Sequence, residues 1–222
     1  MINIIGGSGF IGNKLSSVLK SKNINFINLD ISKSHFHKEK FKRCDVTNTE
    51  DLENSLNGNL IINLSAVHRD DVRPKSLYED VNVGGAKNIC KIAEKKGINK
   101  IIFTSSVAIY GLAKKNADEN CIPKPFNEYG ETKLRAEKVF IDWFHKDKEN
   151  RTLVIIRPTV VFGEMNRGNV YNLFRQINRR NFPMIGRGEN IKSMAYVDNV
   201  ADFILHSINL NQGLHIYNYI DK

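Results

Sequence analysis

Residues 1–12 read MINIIGGSGFIG, and the rest of the chain is organised around this stretch. Ile2, Ile4 and Ile5 form a short β-branched run that ends at once in glycine. Such a run reads as a buried parallel strand entering a tight turn. Gly6, Gly9 and Gly12 follow at GxxGxxG spacing, and a helical pattern runs from Asn13 to Lys20. In this arrangement Gly6 permits the strand-to-helix turn, Gly9 lets a diphosphate approach the backbone, and Gly12 lets the helix pack against the sheet. A helix N-terminus offers free N–H groups and partial positive charge to the phosphates. A second strand, Asn25 to Leu29, ends in Asp30, about 20 residues on, where a ribose-binding acid belongs. The stretch reads as the start of a dinucleotide-binding fold. The other reading is a structural glycine turn in some other α/β protein.

Outward from the turn, strand and helix patterns alternate, which predicts βαβ units and a parallel sheet. A short strand falls in Phe41–Val46, and Thr47 and Asn48 can cap a helix through Leu56. Asn59–Leu64 is a buried strand, followed by Ser65-Ala66-Val67-His68 at its carboxyl end, where ligands gather in open α/β sheets. Leu77–Lys96 reads as one long helix, Lys100–Ser105 as a strand and Glu131–Lys148 as a second long helix. Leu153–Arg157 is a sixth strand and His215–Tyr219 the last, with helices over Val170–Arg180 and Val197–Ile208.

Composition sets outer bounds. The 222 residues suffice for one large α/β domain, and 41% hydrophobic with 26% charged residues is ordinary for a globular protein. No apolar run is long enough to span a bilayer, and the N-terminus lacks the layout of a signal peptide. Three widely spaced cysteines, Cys44, Cys90 and Cys121, suit a reducing cytoplasm rather than a disulfide framework. The net charge of +9 is spread among acids on helical stretches, so it predicts solvated faces rather than a nucleic-acid groove. It would also attract an anionic diphosphate substrate. No metal site is expected.

The chemistry is carried by YGETK. Tyr129 and Lys133 stand four apart, so one helical turn puts both on the same face. An ammonium beside a phenol favours the phenolate and lowers its pKa from about 10. A phenol so tuned exchanges a proton with a substrate hydroxyl or carbonyl. Ser105 and Ser106 sit at the carboxyl end of a predicted strand, in TSSVAIYG. A hydroxyl there either bonds the reacting oxygen or merely caps a turn.

With these pieces in hand, the chain resembles an extended short-chain dehydrogenase/reductase of the nucleotide-sugar epimerase/dehydratase family. The matching motifs are GGSGFIG, Asp30, Asp45-Val46, NLSAVH, VNVGGAKN, TSSVAIYG, YGETK, RPTVVFG and MAYVDNVA, in the family's order over nearly the whole chain. The resemblance implies a Rossmann-type doubly wound parallel sheet over residues 1–222, holding NAD, with substrate-lobe segments at about 164–196. It implies Tyr129 as catalytic acid/base and Lys133 as the group that lowers its pKa and holds the nicotinamide ribose. Ser106 orients the reacting oxygen, with Ser105 as its easily confused neighbour. Gly6, Gly9 and Gly12, with the N–H groups of Phe10 and Ile11, contact the diphosphate. Asp30 binds the adenosine ribose and favours NAD over NADP. Asp45 and Val46 flank the adenine, Leu64, Ser65 and Ala66 line the dinucleotide, and Asn82 is a structural hydrogen-bonding residue beside it. Asn169, Arg187 and Lys192 are the substrate-diphosphate candidates; Arg157 reads as structural, and His68 as either a loop residue or a functional one.

The same resemblance implies a 4-epimerase acting on a nucleotide-diphosphate sugar, UDP-linked, through a transient 4-keto sugar, in polysaccharide biosynthesis. A 4-keto-sugar reductase or dehydrogenase, and a non-catalytic NAD-binding protein, are the alternatives. Val107-Ala108 stand where a 4,6-dehydratase carries an Asp-Glu pair, which argues against dehydration. Pro158 to Val161 replaces the stretch in which many galactose-type epimerases carry an asparagine. The chain stops soon after its last predicted strand, so it reads as a truncated or minimal version of the family. A homodimer is expected through the helices Leu77–Lys96 and Glu131–Lys148.

Overall fold

The computed structural model describes residues 1–34, 36–69, 71–111, 117–183, 186–189 and 191–221. Seven strands form one parallel sheet: β1 (Ile2–Ile5), β2 (Phe26–Asp30), β3 (Phe41–Arg43), β4 (Leu60–Asn63), β5 (Lys100–Thr104), β6 (Thr152–Pro158) and a final strand, Gly213–Tyr219. The spatial order is β3-β2-β1-β4-β5-β6 with the final strand at the edge. The order reverses between β1 and β4, which opens a crevice at their carboxyl ends. This is the doubly wound sheet expected from the alternation of strands and helices.

The helices fall on both faces because the inner strands are buried on both faces. Ile101 and Phe103 of β5 enter one apolar cluster and Ile102 enters the other. On the first side pack α2 (Thr49–Ser55), α3 (Gly85–Lys96) and α4 (Glu128–His145). On the second side pack α1 (Phe10–Ser21) and a helix over Val197–Ser207. Asn48 caps α2 as expected, its side chain accepting from the Glu50 and Asp51 amides.

Three differences from the sequence reading have physical causes. The Leu77–Lys96 helix is not uniform: Tyr78–Gly84 form a π-helical turn before α3 begins. Helical periodicity cannot show one inserted residue, and such turns are frequent at functional sites. The second long helix begins at Glu128, not Glu131, because Asn127 caps it by accepting from the Gly130 amide at 2.9 Å. A two-stranded parallel sheet joins β7 (Val160–Phe162) to β8 (Met194–Tyr196), with α5 (Asn169–Asn178) between them in the chain. Each strand has three residues, and the register pairs Val160 with Met194, far away in the chain, so neither carries a pattern of its own. The last strand of the main sheet is accordingly β9 and the helix before it is α6.

Candidate active site

The glycine turn is shaped by backbone contacts. Gly6 has φ of +77°, and a Cβ placed on it would lie 2.6 Å from the Ser65 amide nitrogen. Only glycine fits both demands. Gly12 departs from the expectation. A Cβ there would meet the backbone of Gly7 at 2.6 Å, so Gly12 seats α1 on its own turn rather than on the sheet. Gly7 makes the sheet approach instead, with a Cβ position 2.5 Å from Asn28 Oδ1 of β2. The space over Gly9 is open except for the Gly6 carbonyl at 3.2 Å.

The first intrahelical bond of α1 runs from Asn13 N–H to the Gly9 carbonyl, 2.9 Å. The amides of Phe10, Ile11 and Gly12 therefore precede the bonded part of the helix and are available to an anion. No acid stands in that first turn to compete. The donor set and the open face at Gly9 fit a dinucleotide diphosphate.

The rest of the crevice is built from strand ends. The Leu64 amide donates to Ile5 O at 2.8 Å, closing β4 onto β1. Ser65 donates through both its amide (3.1 Å) and its hydroxyl (2.7 Å) to Asn63 Oδ1, and Ala66 follows, partly buried. Asp30 accepts from the Ser8 and Ser32 amides, each at 3.1 Å, which ties the acid to the glycine turn. Asp45 accepts from the amide and hydroxyl of Thr47, and Val46 is buried beneath Gly85. Asn82, on the π-helical turn, exchanges two hydrogen bonds with Val67 and donates to Thr132 Oγ1 at 3.0 Å. It thereby joins the loop after β4 to α4. His68 is exposed on that loop.

Ser106, Tyr129 and Lys133 converge at the carboxyl end of β5. Ser106 caps the turn that follows it: its hydroxyl accepts from the Ala108 amide at 3.1 Å. The same hydroxyl acts on the Tyr129 phenol, favouring its charged form. Ser105 is buried, and its hydroxyl has no partner among the described residues. Lys133 is 2% exposed; its Nζ donates to the Thr104 carbonyl at 2.6 Å and lies 4.1 Å from the centre of the Phe103 ring.

The electrostatics differ from the expectation. Burial raises the Tyr129 phenol above its ordinary value, and the Ser106 hydroxyl offsets part of that. Burial pushes Lys133 down to about 7, opposed by the carboxylate of Glu137. Each is a buried group that loses hydration of its charged form, and that loss sets the direction of both shifts.

Behind this trio lies a network that sequence reading missed. Glu137 and Arg157, 2% and 5% exposed, form a two-pronged ion pair with distances of 3.0 and 2.7 Å. Arg157 also donates to the Tyr110 hydroxyl at 2.6 Å, and Tyr110 donates to Asn218 Oδ1 at 2.9 Å. The only sequence signal was the i, i+4, i+8 spacing of Tyr129, Lys133 and Glu137.

The substrate candidates are not brought together. Tyr129 opens onto a cavity of about 610 Å³ that includes Arg73, Lys75, Tyr78 and Phe126. Asn169, at the start of α5, lines a separate cavity of about 260 Å³ with Asn166, Phe174 and Tyr196. Arg187 and Lys192 are exposed and line neither. Arg73 and Lys75 are cations near Tyr129 that no motif pointed to, although Lys75 is paired with Glu128 at 2.7 Å.

Residues 2–219 match the family model for the NAD dependent epimerase/dehydratase family. The chain belongs to that family. It is 49% identical over 221 residues to the N-acetyl-alpha-D-glucosaminyl-diphospho-ditrans,octacis-undecaprenol 4-epimerase of Escherichia coli O157:H7, covering 99% of this chain and 66% of the relative. Among solved structures, it is similar to the UDP-N-acetylglucosamine 4-epimerase of Bacillus cereus (TM-score 0.85, 19% identity, covering 100% of this chain and 75% of that one). The Thermus thermophilus UDP-glucose 4-epimerase in complex with NAD is also similar (TM-score 0.82, 21% identity, 97% and 76%). At these identities the two structures establish the shared fold. The chain spans just under two thirds of the length of the E. coli relative.

Proposed function

We propose that this epimerase-family chain carries the catalytic residues of an NAD-dependent 4-epimerase for a diphosphate-linked sugar. The observation that carries the reading is that Ser106 follows β5, Lys133 reaches the carbonyl of Thr104 at the end of that strand, and Tyr129 stands one helical turn from Lys133, while β5 lies in the same parallel sheet whose first strand ends in the glycine turn. The turn amides of Phe10, Ile11 and Gly12 would hold the NAD diphosphate, Asp30 the adenosine ribose, and Lys133 the nicotinamide ribose. When bound, NAD would supply the hydride acceptor and donor that the reaction at C4 needs. Tyr129 takes the proton of the 4-hydroxyl as C4 becomes a ketone, and gives it back when the opposite face is reduced. Ser106 hydrogen-bonds the phenol and orients the same sugar oxygen. Lys133, one turn along α4, supplies the positive charge that favours the phenolate against burial.

The carrier is the finer question. The UDP expected from the sequence and a polyprenol both present a diphosphate. The 49% identical relative is named for an undecaprenol-linked sugar, and that identity favours a polyprenyl-diphosphate carrier. The three cysteines are unpaired, which supports a reducing cytoplasmic location. A homodimer through α3 and α4 and a place in polysaccharide biosynthesis complete the reading. The apolar stripes of the two helices enter the core: Ile89, Ile92, Ala136 and Phe140 are all buried in the cluster beneath them. A dimer would therefore use their outer faces, and sedimentation as a monomer at micromolar concentration would reject it.

The test supplies N-acetylglucosaminyl-diphospho-undecaprenol or UDP-N-acetylglucosamine and separates the released sugars after mild acid. The lipid-linked sugar is expected to be epimerised, and Tyr129→Phe to lose at least about 100-fold in turnover. Full turnover by Tyr129→Phe sinks the mechanism. Turnover of the UDP sugar alone returns the carrier to a nucleotide.

A further inference from the structure

We propose that Glu137 is a positioning residue for the active site: clamped by Arg157 and one turn along α4 from Lys133, its carboxylate is the counter-charge of that lysine, while the same arginine anchors the Ser106 turn through Tyr110. The catalytic importance of Lys133 and Ser106 rests on the function proposed above.

The argument begins with helix geometry. Tyr129, Lys133 and Glu137 are spaced by four along α4, so they share the face turned toward β5 and β6. Lys133 and Glu137 are both 2% exposed. A buried ammonium without a nearby anion loses its proton, and among the described residues the acceptor at its Nζ is neutral, the Thr104 carbonyl. Glu137 supplies the missing negative charge.

Glu137 itself needs holding, because a free buried carboxylate would take up a proton. Arg157 does this with two parallel bonds, a geometry that fixes the carboxylate plane as well as its charge. The remaining Arg157 nitrogen donates to Tyr110, whose ring lies 5.4 Å from the guanidinium carbon. Tyr110 closes the short helical turn Val107–Tyr110, and that turn is capped by Ser106. At the far end, Tyr110 reaches Asn218 on β9, and Asn218 bonds the Ala117 carbonyl at 3.1 Å. One ion pair thus fastens both halves of the site, the helix bearing Tyr129 and Lys133 and the turn bearing Ser106.

The other titratable groups on elements packed against this part of α4 are engaged or silent. Glu79, on the π-helical turn, pairs with Arg135 at 2.6 and 2.7 Å. The Tyr78 hydroxyl donates to the Arg69 carbonyl. Cys90 of α3 is held as a thiol, because burial raises it far above its ordinary value. Asp80 lies on the same π-helical turn and is exposed. Glu137 is the charged group that acts on Lys133.

The test reads Lys133 directly, without turnover. The full chain carries 13Cε-labelled lysine, and the Lys133 resonance is assigned by its loss in Lys133→Met. Its titration midpoint is compared in the parent chain, in Glu137→Gln, in Glu137→Asp, and in the doubly apolar Glu137→Leu/Arg157→Met. The midpoint is expected to fall by roughly one pH unit in Glu137→Gln and in the apolar pair, and to return toward the parent value in Glu137→Asp. A midpoint that stays put, or rises toward that of a hydrated lysine, overturns the proposal and leaves the pair as a structural clamp. The apolar pair keeps the test decisive if Glu137→Gln does not fold, since it leaves no unpaired charge. Because no sugar is turned over, this outcome is independent of whether the chain epimerises anything.

Discussion

Lys133 shows how a single residue departs from its sequence reading. From spacing alone it is a cation beside a phenol. In three dimensions it is so deeply buried that its own charge becomes conditional. Its folded value of about 7 lies below the 10.5 of an exposed lysine. Between those values the unfolded chain binds more protons than the folded one, so stability rises as pH climbs from about 7 toward 10.5. The penalty of burying the ammonium is fully present below about 7. Lys133→Met is therefore expected to abolish turnover while removing this slope, which urea unfolding at pH 6.5 and 9.5 would measure. A parallel slope in the variant would count against the assignment. Gly6 makes a second residue-scale case. Gly6→Ala faces both a positive φ and a 2.6 Å clash with the Ser65 amide, so a loss of about 2 kcal/mol or more is expected in the same assay.

At the scale of one element, α4 is the part that matters most, and its start is set by Asn127. The Asn127 side chain accepts from the Gly130 amide at 2.9 Å, within a turn that also contains Tyr129. Asn127→Ala is expected to cost about 1 kcal/mol in global stability. Fraying of the first turn would also release Tyr129 from Ser106, so turnover should fall more than the stability loss predicts while Tyr129→Phe remains the floor. Unchanged turnover would show that the first turn is held by packing alone. The helix was legible in the sequence from Leu134, Val139, Phe140 and Trp143, which repeat at helical spacing. Its first turn was not, because a cap depends on one side-chain bond rather than on periodicity.

For the whole molecule, the Glu137–Arg157 pair joins α4 to β6 through the buried side of the sheet. Removing either partner alone leaves a charge in the core and is expected to cost about 3–5 kcal/mol. The doubly apolar Glu137→Leu/Arg157→Met chain should be less destabilised than either single truncation to an apolar residue, as read by denaturant midpoints of the three variants. Additive losses would mean that the pair contributes mainly through packing. The surface charges behave differently. Lys20–Glu39, Lys95–Glu53 and Lys146–Glu94 are exposed pairs, in keeping with basic residues on solvated faces.

What the sequence determined by itself is local: the glycine turn, the alternation of strands and helices, and the placing of Tyr129 one helical turn from Lys133. Each depends on residues within a turn or two of one another, where backbone sterics and periodicity act directly. Tertiary structure alone decided the β7–β8 pairing, the separation of the Asn169 cavity from the Tyr129 cavity, and the tie from Glu137 through Arg157 to Tyr110. It also decided the direction in which burial shifts Tyr129 and Lys133. Desolvation depends on everything that surrounds a group, and most of what surrounds Lys133 and Tyr129 comes from distant parts of the chain.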